Sequence, residues 1–273
     1  MRSSAPTEPQ HAESRTAAVP AQKINQKWYG DGTEIKTGQG KLYLASVPDM
    51  ASRRVLGPGQ GPRGLRCGAM RVPTDKEILA LHEKYAPTAE ALDLVYQHCV
   101  IVCGIAEQLH ARAGLNSDIG LVRAGCLLHD IGVYRLYDAA GELDHANYIR
   151  HGVLGHELLA AEGFPEAICR FASCHTGMGL SRRDVLRQRL PLPPADYLAE
   201  TGEEALVMYA DKFHSKTTPP ALLTACAYAA SVRRFGADKV AAFESMRAAF
   251  GEPDLGPFAT AYGHRVLDCD LPR

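Results

Sequence analysis

The chain has 273 residues, with 30 Lys and Arg against 31 Asp and Glu, 46% hydrophobic residues and 22% charged residues. These proportions exclude a wholly disordered, collagenous or coiled-coil chain. The formal charge of -1 leaves no basic excess for non-specific nucleic-acid binding. The longest uninterrupted apolar run, Val100 to Ala106, falls far short of the ~20 residues of a membrane-spanning helix. No apolar core of a secretory signal follows the N-terminal arginines, and a cytoplasmic protein without a membrane partner is expected. The length suits one large domain, or a medium domain with an appendage.

Residues 1–22 are Ser, Thr, Ala, Pro, Glu and Gln with almost no large apolar group, and they read as a disordered tail. Residues 23–71 read as an irregular N-terminal extension. A turn signal, Tyr29-Gly30-Asp31-Gly32, and an alternating run from Lys41 to Val47 predict a small β-hairpin there. Gly59-Gln60-Gly61-Pro62-Arg63-Gly64 fits the dinucleotide pattern G-x-G-x-x-G. Pro58 and Pro62 interrupt it, and Leu65 to Gly68 opens no helix, so a linker or flap is expected instead.

From Thr74 the period becomes helical, with Thr74 and Glu77 forming a capping box. The pattern predicts helices at about 75–85, 89–113, 117–131, 145–162, 165–175, 182–189, 203–216, 219–235 and 237–250. Glycines and prolines between them mark the breaks, and no strand is expected after residue 70. Residues 72–273 therefore read as one all-α compact bundle. Eight cysteines, at 67, 99, 103, 126, 169, 174, 226 and 269, include no Cys-x-x-Cys pair. Six lie in apolar helical segments, so buried reduced thiols are expected.

Several histidines and acids interrupt the apolar stripes. Val95, His98, Val102, Ile105 and Leu109 share one helical face, as do Val122, Cys126 and His129. The same spacing puts His151 with Leu154, Gly155, Leu158 and Ala161, and His175 with Ile168 and Phe171. Val207 and Asp211 are one turn apart, with His214 another turn along. Each residue alone has a structural explanation, such as a hydrogen-bonded core histidine or a capping aspartate. Jointly, four imidazoles and two carboxylates facing one core need a common partner, because buried unpaired charge costs several kcal/mol per group. A pair of divalent transition ions (Fe, Mn, Co, Ni or Zn) accepts such ligands. His129 and Asp130 lie ~100° apart around a helix, so both reach one site only where that helix ends, and Gly132 is expected to end it in left-handed conformation.

The set His98, His129-Asp130, His151, His175 and Asp211 resembles the H…HD…H…H…D signature of the HD-domain superfamily. His129-Asp130-Ile131-Gly132 matches its HDIG core, and His151-Gly152-Val153-Leu154-Gly155 resembles the H-x-x-x-G element that opens the next helix. The resemblance covers roughly residues 72–250, and it is nearest to small stand-alone HDIG-type proteins. It implies an all-α HD-domain helical bundle and a metal-dependent phosphohydrolase or phosphodiesterase, often acting on nucleotides. By position it implies that His98, His129, Asp130 and Asp211 hold a first metal, with Asp130 bridging to a second held by His151 and His175. The sequence departs from the family's cyclic-dinucleotide phosphodiesterases at Gly152 and Thr176, and Val133 stands where many signalling members carry Lys.

The expected reaction is hydrolysis of a small phosphate ester, in family terms a nucleotide, by a metal-activated hydroxide at a two-metal site. Asp130, Lys212 and His156 are the candidate catalytic residues; a solvated lysine and a surface histidine are the plain alternatives for the last two. Arg150, Arg182 and Arg183 are candidate substrate contacts, whereas Arg187 and Arg189 read as a solvated face with Asp184 as counter-charge. Tyr134 and Tyr137 fit either base stacking or helix packing. Two further classes share the ligand set: a di-iron oxygenase, and a non-catalytic nucleotide-binding module.

Overall fold

The computed structural model describes three strands in the N-terminal quarter and residues 71–269. The chain divides into two units, Met1–Met70 and Arg71–Arg273. In the first, β1 (Asp31–Thr37) pairs antiparallel with β2 (Gly40–Pro48), and β3 (Val55–Leu56) pairs antiparallel with the end of β2. The expected hairpin is present, with the run from Lys41 to Val47 inside β2. Its turn is displaced: Asp31 and Gly32 belong to β1, and the chain reverses between Thr37 and Gly40. The expected tail at 1–22, the Gly59–Gly64 loop and Cys67 lie outside the described residues.

The second unit opens with α1 (Asp75–Tyr85), α2 (Ala89–Ala113) and α3 (Ile119–Leu128). A 3₁₀ segment, Ile131–Leu136, follows, and a second, His145–Arg150, runs into α4 (His151–Ala161). Next come α5 (Glu166–Cys174), α6 (Arg182–Gln188) and α7 (Gly202–Asp211). The chain ends with α8 (Ala225–Val232), α9 (Ala237–Phe250) and α10 (Gly256–Tyr262). Hydroxyl and carboxylate side chains start most of these helices. Thr74 makes the predicted capping box with Glu77, and Thr88, Asp118, Ser181, Thr201 and Thr224 accept from backbone N–H groups of their first turns, which otherwise lack partners.

The bundle core lies between α2, α3, α5 and α7. Val95, Val102, Ile105, Leu109, Val122, Cys126, Ile168, Phe171 and Val207 are all buried there, as the stripes predict. On α4 the stripe holds at His151, Gly155 and Leu158, while Leu154 is half-buried and Ala161 exposed. By length and composition α2 meets the criteria for a membrane span, at 25 residues and a mean hydropathy of 1.3. Its buried stripe, however, packs inside the bundle and carries His98.

Four expectations are corrected. Strands do occur after residue 70: β4 (His214–Ser215) pairs antiparallel with β5 (Ala221–Leu223), and β5 pairs parallel with β6 (Arg265–Leu267). Segments of two or three residues are too short to show a period, and β5 finds its second partner some forty residues later. For the same reason the helix expected over 203–216 stops at Asp211, and the one expected over 219–235 begins at Ala225. Cys226 and Cys269 form a disulfide rather than free thiols, joining α8 to the turn after β6; the five free cysteines among the described residues are buried.

The fourth correction concerns Gly132, which is not left-handed. It sits in the 3₁₀ segment where that segment presses on α4, and a Cβ there would lie 2.0 Å from the His151 carbonyl oxygen and 2.2 Å from the Gly155 nitrogen. The residue is needed for close backbone approach, which only glycine permits. Gly132→Ala must therefore push the His129-Asp130 turn away from His151. We expect a stability loss at or above the ~1–3 kcal/mol of ordinary overpacking, measured as a lowered urea midpoint.

His82 on α1 is fully buried, with Nε2 2.8 Å from the Leu127 carbonyl oxygen and Nδ1 2.8 Å from the Tyr134 hydroxyl. Its Nε2–H donates to the carbonyl, and Nδ1 accepts from the hydroxyl. Tyr134 is thus a packing residue. Burial pushes the His82 pKa from 6.5 to about 4, so the unfolded chain takes up this proton first. Stability is complete above pH 6.5 and falls as pH drops toward 4, by about 3 kcal/mol from this group. Urea unfolding of the metal-free protein across that range checks this: His82→Gln should lower stability at pH 7 and flatten the wild-type slope by that amount.

Candidate metal centre

Helix ends deliver most of the predicted ligands. α3 stops at Leu128, His129 is its C-cap, and Asp130 turns out of the helix at φ -104 and ψ 7. His151 is the first residue of α4, His175 the C-cap of α5 and Asp211 the last residue of α7. His98 alone projects from mid-helix, in α2. Because α3 ends before His129, that residue and its neighbour Asp130 can both face one point.

The six side chains converge. His98 Nε2 lies 3.1 Å from His129 Nε2, 3.2 Å from Asp130 Oδ2 and 3.0 Å from Asp211 Oδ1. His129 Nε2 is 3.6 Å from Asp130 Oδ2 and 3.5 Å from Asp211 Oδ1. On the other side, His151 Nε2 and His175 Nε2 are 2.9 Å apart, and each is 3.5 Å from Asp130 Oδ1. Asp130 therefore turns one carboxylate oxygen to each histidine pair. Five of the six residues are buried, and the Asp211 side chain is 16% exposed.

Hydrogen bonds behind the rings fix the tautomers. His129 Nδ1 lies 2.6 Å from the Cys126 carbonyl oxygen, His151 Nδ1 2.6 Å from that of Tyr148, and His175 Nδ1 2.7 Å from that of Ala172. A carbonyl only accepts, so each Nδ1 carries the proton and each Nε2 lone pair points inward. Burial pushes the His151 pKa down to about 3 and that of His175 down as well, which keeps both neutral. Burial also raises the carboxyls, but charges outweigh it. Lys216 holds Asp130 well below its usual range, and Lys212 does the same for Asp211. Neutral inward imidazoles with ionised carboxylates are the donor set that divalent transition ions take, so these residues fit a metal site. Ligand atoms of His98, His129 and Asp130, of His129, His175 and Asp211, and of Asp130, His151 and His175 each lie within 4.8 Å of one another.

A cavity of about 510 Å³ opens over this cluster. Asp130, His151, His175, Asp211 and Lys212 line it, with Tyr148, Lys216, Tyr228 and Arg234 around them. Lys212 Nζ donates to Asp211 Oδ2 at 2.7 Å and to the His175 carbonyl oxygen at 2.9 Å. Lys216 Nζ donates to Asp130 Oδ2. Lys216 and Arg234 escaped the sequence reading. The helix expected over 203–216 gave Lys216 no reason to turn back on the site, whereas the chain leaves α7 at Asp211 and enters β4.

The remaining candidates lie elsewhere. His156 contacts Ser173 Oγ at 3.1 Å and Glu166 Oε2 at 3.3 Å, and does not line the cavity. Arg150 borders a separate small depression with Val153, Leu154 and Leu190. Arg182 and Arg183 are exposed on α6, also away from the cavity lining. Arg187 pairs with Asp184 at 2.9 Å, but Asp184 is buried and also accepts from Lys239 Nζ at 2.8 Å, so the expected counter-charge does not lie on a solvated face.

Residues 95–216 match the family model of the HD domain. An uncharacterised protein of Methanocaldococcus jannaschii is 38% identical over 120 residues, 43% of this chain and 64% of that protein. A tRNA (cytidine(56)-2'-O)-methyltransferase of Thermoplasma volcanium is 32% identical over 140 residues, 51% of this chain and 36% of the enzyme. The chain thus spans less than two thirds of either relative. Among solved structures, the HD domain of the Listeria monocytogenes phosphodiesterase PgpH, in complex with cyclic-di-AMP, aligns at 18% identity and a TM-score of 0.41, over 70% of this chain and 99% of that one.

Proposed function

The chain carries an HD domain, and from that premise we propose that it is a metal-dependent phosphohydrolase acting on a small phosphate ester, with a nucleotide as the favoured class. The observation that carries the reading is the split of Asp130, one oxygen toward His98 and His129 and the other toward His151 and His175. Two divalent transition ions, one at His98, His129, Asp130 and Asp211 and one at Asp130, His151 and His175, would supply a water of pKa ~7 and neutralise charge developing on phosphoryl oxygens.

The protein's own groups do the rest. Lys212 is held by Asp211 and the His175 carbonyl, which places a fixed cation at the cavity floor for a phosphoryl oxygen. Lys216 neutralises Asp130, and a cation at that carboxylate would free its Nζ for an anionic substrate. Arg234 on the cavity wall offers a guanidinium that matches phosphate in bidentate fashion. Leu94, Val133, Leu143, Tyr148 and Tyr228 supply an apolar wall for the remainder of the ester.

The purified protein should bind two equivalents of transition metal and hydrolyse an aryl phosphate or a nucleoside monophosphate with manganese or cobalt. Elemental analysis with a phosphatase screen, run with and without air, tests this. Oxygen-dependent turnover, or full metal content in His129→Ala, would count against it. Lys216→Met should act in opposite directions on the two properties. Loss of a competing cation should tighten metal binding several-fold, and loss of the phosphate contact should lower kcat/KM by ~10–100-fold. Metal titration and steady-state kinetics on the same variant read both.

A further inference from the structure

Three of the four histidines at the centre anchor their outward nitrogen to a backbone carbonyl one turn back. His98 does not. Its Nδ1 lies 2.8 Å from His214 Nδ1, and His214 Nε2 lies 3.0 Å from His264 Nδ1. The rings are stacked in series, with centroids 5.1 Å apart at both steps and interplanar angles of 27° and 12°. With His98 Nε2 facing the centre, its Nδ1 carries the proton and donates to His214. That leaves His214 protonated at Nε2, donating in turn to His264 Nδ1. Among neutral tautomers with His98 Nε2 unprotonated, this arrangement gives both ring-to-ring contacts one donor and one acceptor. It ends at His264, which is half-buried at the protein surface.

The far end of the row comes from the C-terminal segment, beyond residues 95–216. His264 immediately precedes β6, which runs beside β5 with Ala221 opposite Arg265, while β5 holds β4 with His214 opposite Leu222. Thr224 secures the same strand through its amide to the Leu267 carbonyl oxygen at 3.0 Å and its hydroxyl to Asp268 Oδ1 at 2.9 Å, and the Cys226–Cys269 disulfide closes it. The small sheet therefore sets the spacing between two imidazoles that belong to distant parts of the chain.

We propose that His214 and His264 are positioning residues for the metal centre: the C-terminal strand, through this pair of rings, fixes the tautomer and orientation of His98. The proposal rests on the reading of the six-residue cluster as a metal site. Partners behind metal-bound histidines typically govern affinity by ~10–100-fold. The expectation here is specific to one ligand, since the other three are anchored by backbone that no side-chain substitution removes.

The test is cobalt binding to the full chain, followed by competition with a chromophoric chelator and by the visible spectrum of the cobalt protein. His264→Phe keeps a ring in the stack but removes its nitrogens, and should weaken cobalt binding ~10-fold with a changed spectrum. His264→Gln keeps an acceptor for the His214 N–H and should bind within about twofold of wild type on the same reasoning. Metal-free unfolding midpoints check that each variant folds; His264→Ala, with the same expectation, replaces the phenylalanine variant if that one does not. Wild-type affinity and spectrum in the variant lacking the nitrogens would overturn the proposal. So would equal weakening in His264→Gln, which would make the residue a packing element. Failure of the wild-type protein to bind cobalt at all would overturn the metal-site reading itself, a result distinguishable from the first two.

Discussion

The centre depends on one arrangement: imidazole nitrogens whose lone pairs are forced inward because their opposite nitrogens are committed to carbonyls. His151 and His175 bring two Nε2 atoms to 2.9 Å, each with its Nδ1 hydrogen already donated to backbone. Two acceptors at that distance repel unless a cation lies between them or one ring takes up a proton, and burial disfavours the proton. The fold thus stabilises a geometry that favours metal over protonation. Asp130 and Asp211 add negative charge, which Lys216 and Lys212 balance one for one.

Helix termini make that arrangement reachable. A ligand in mid-helix aims in a direction set by its whole helix, whereas one at an end can be aimed by the turn that follows. Asp130 shows this: its φ and ψ leave the helical region, and its carboxylate swings to the side of its neighbour His129. The turn stays close to α4 only because Gly132 has no side chain. Ligand geometry, helix length and glycine placement are therefore one constraint.

The six converging residues and most of the helices were legible in the sequence because both obey periodic rules. Residues such as Val95, His98 and Val102 repeat at helical spacing, and a polar residue on an apolar stripe stands out. What escaped has no period. β4 and β5 are two and three residues long, and Lys216 reaches Asp130 from the loop that joins β4 to β5. Gly132 looked like a stop because glycine often is one, yet its role is contact with α4, which lies outside local sequence. The arginines at 150, 182 and 183 were attractive by charge and by nearness to ligands in sequence. They miss the cavity because the 3₁₀ segment before α4, and α6, turn those positions elsewhere. Cys226 and Cys269 lie 43 residues apart, and no spacing rule joins them.

The segment that matches the HD domain ends at residue 216, and the ligand cluster is complete by Asp211. The cavity is not. Tyr228, Ser231, Arg234 and Phe235 complete its wall, and His264 reaches the centre from behind through His214. All five lie past the matched segment. The six converging residues and the cavity wall are thereby supplied by different parts of the chain: the first by helix ends up to Asp211, the second completed by α8 and the residues after it. On the proposed function, Arg234 and Tyr228, rather than the six converging residues, are where selectivity is to be sought.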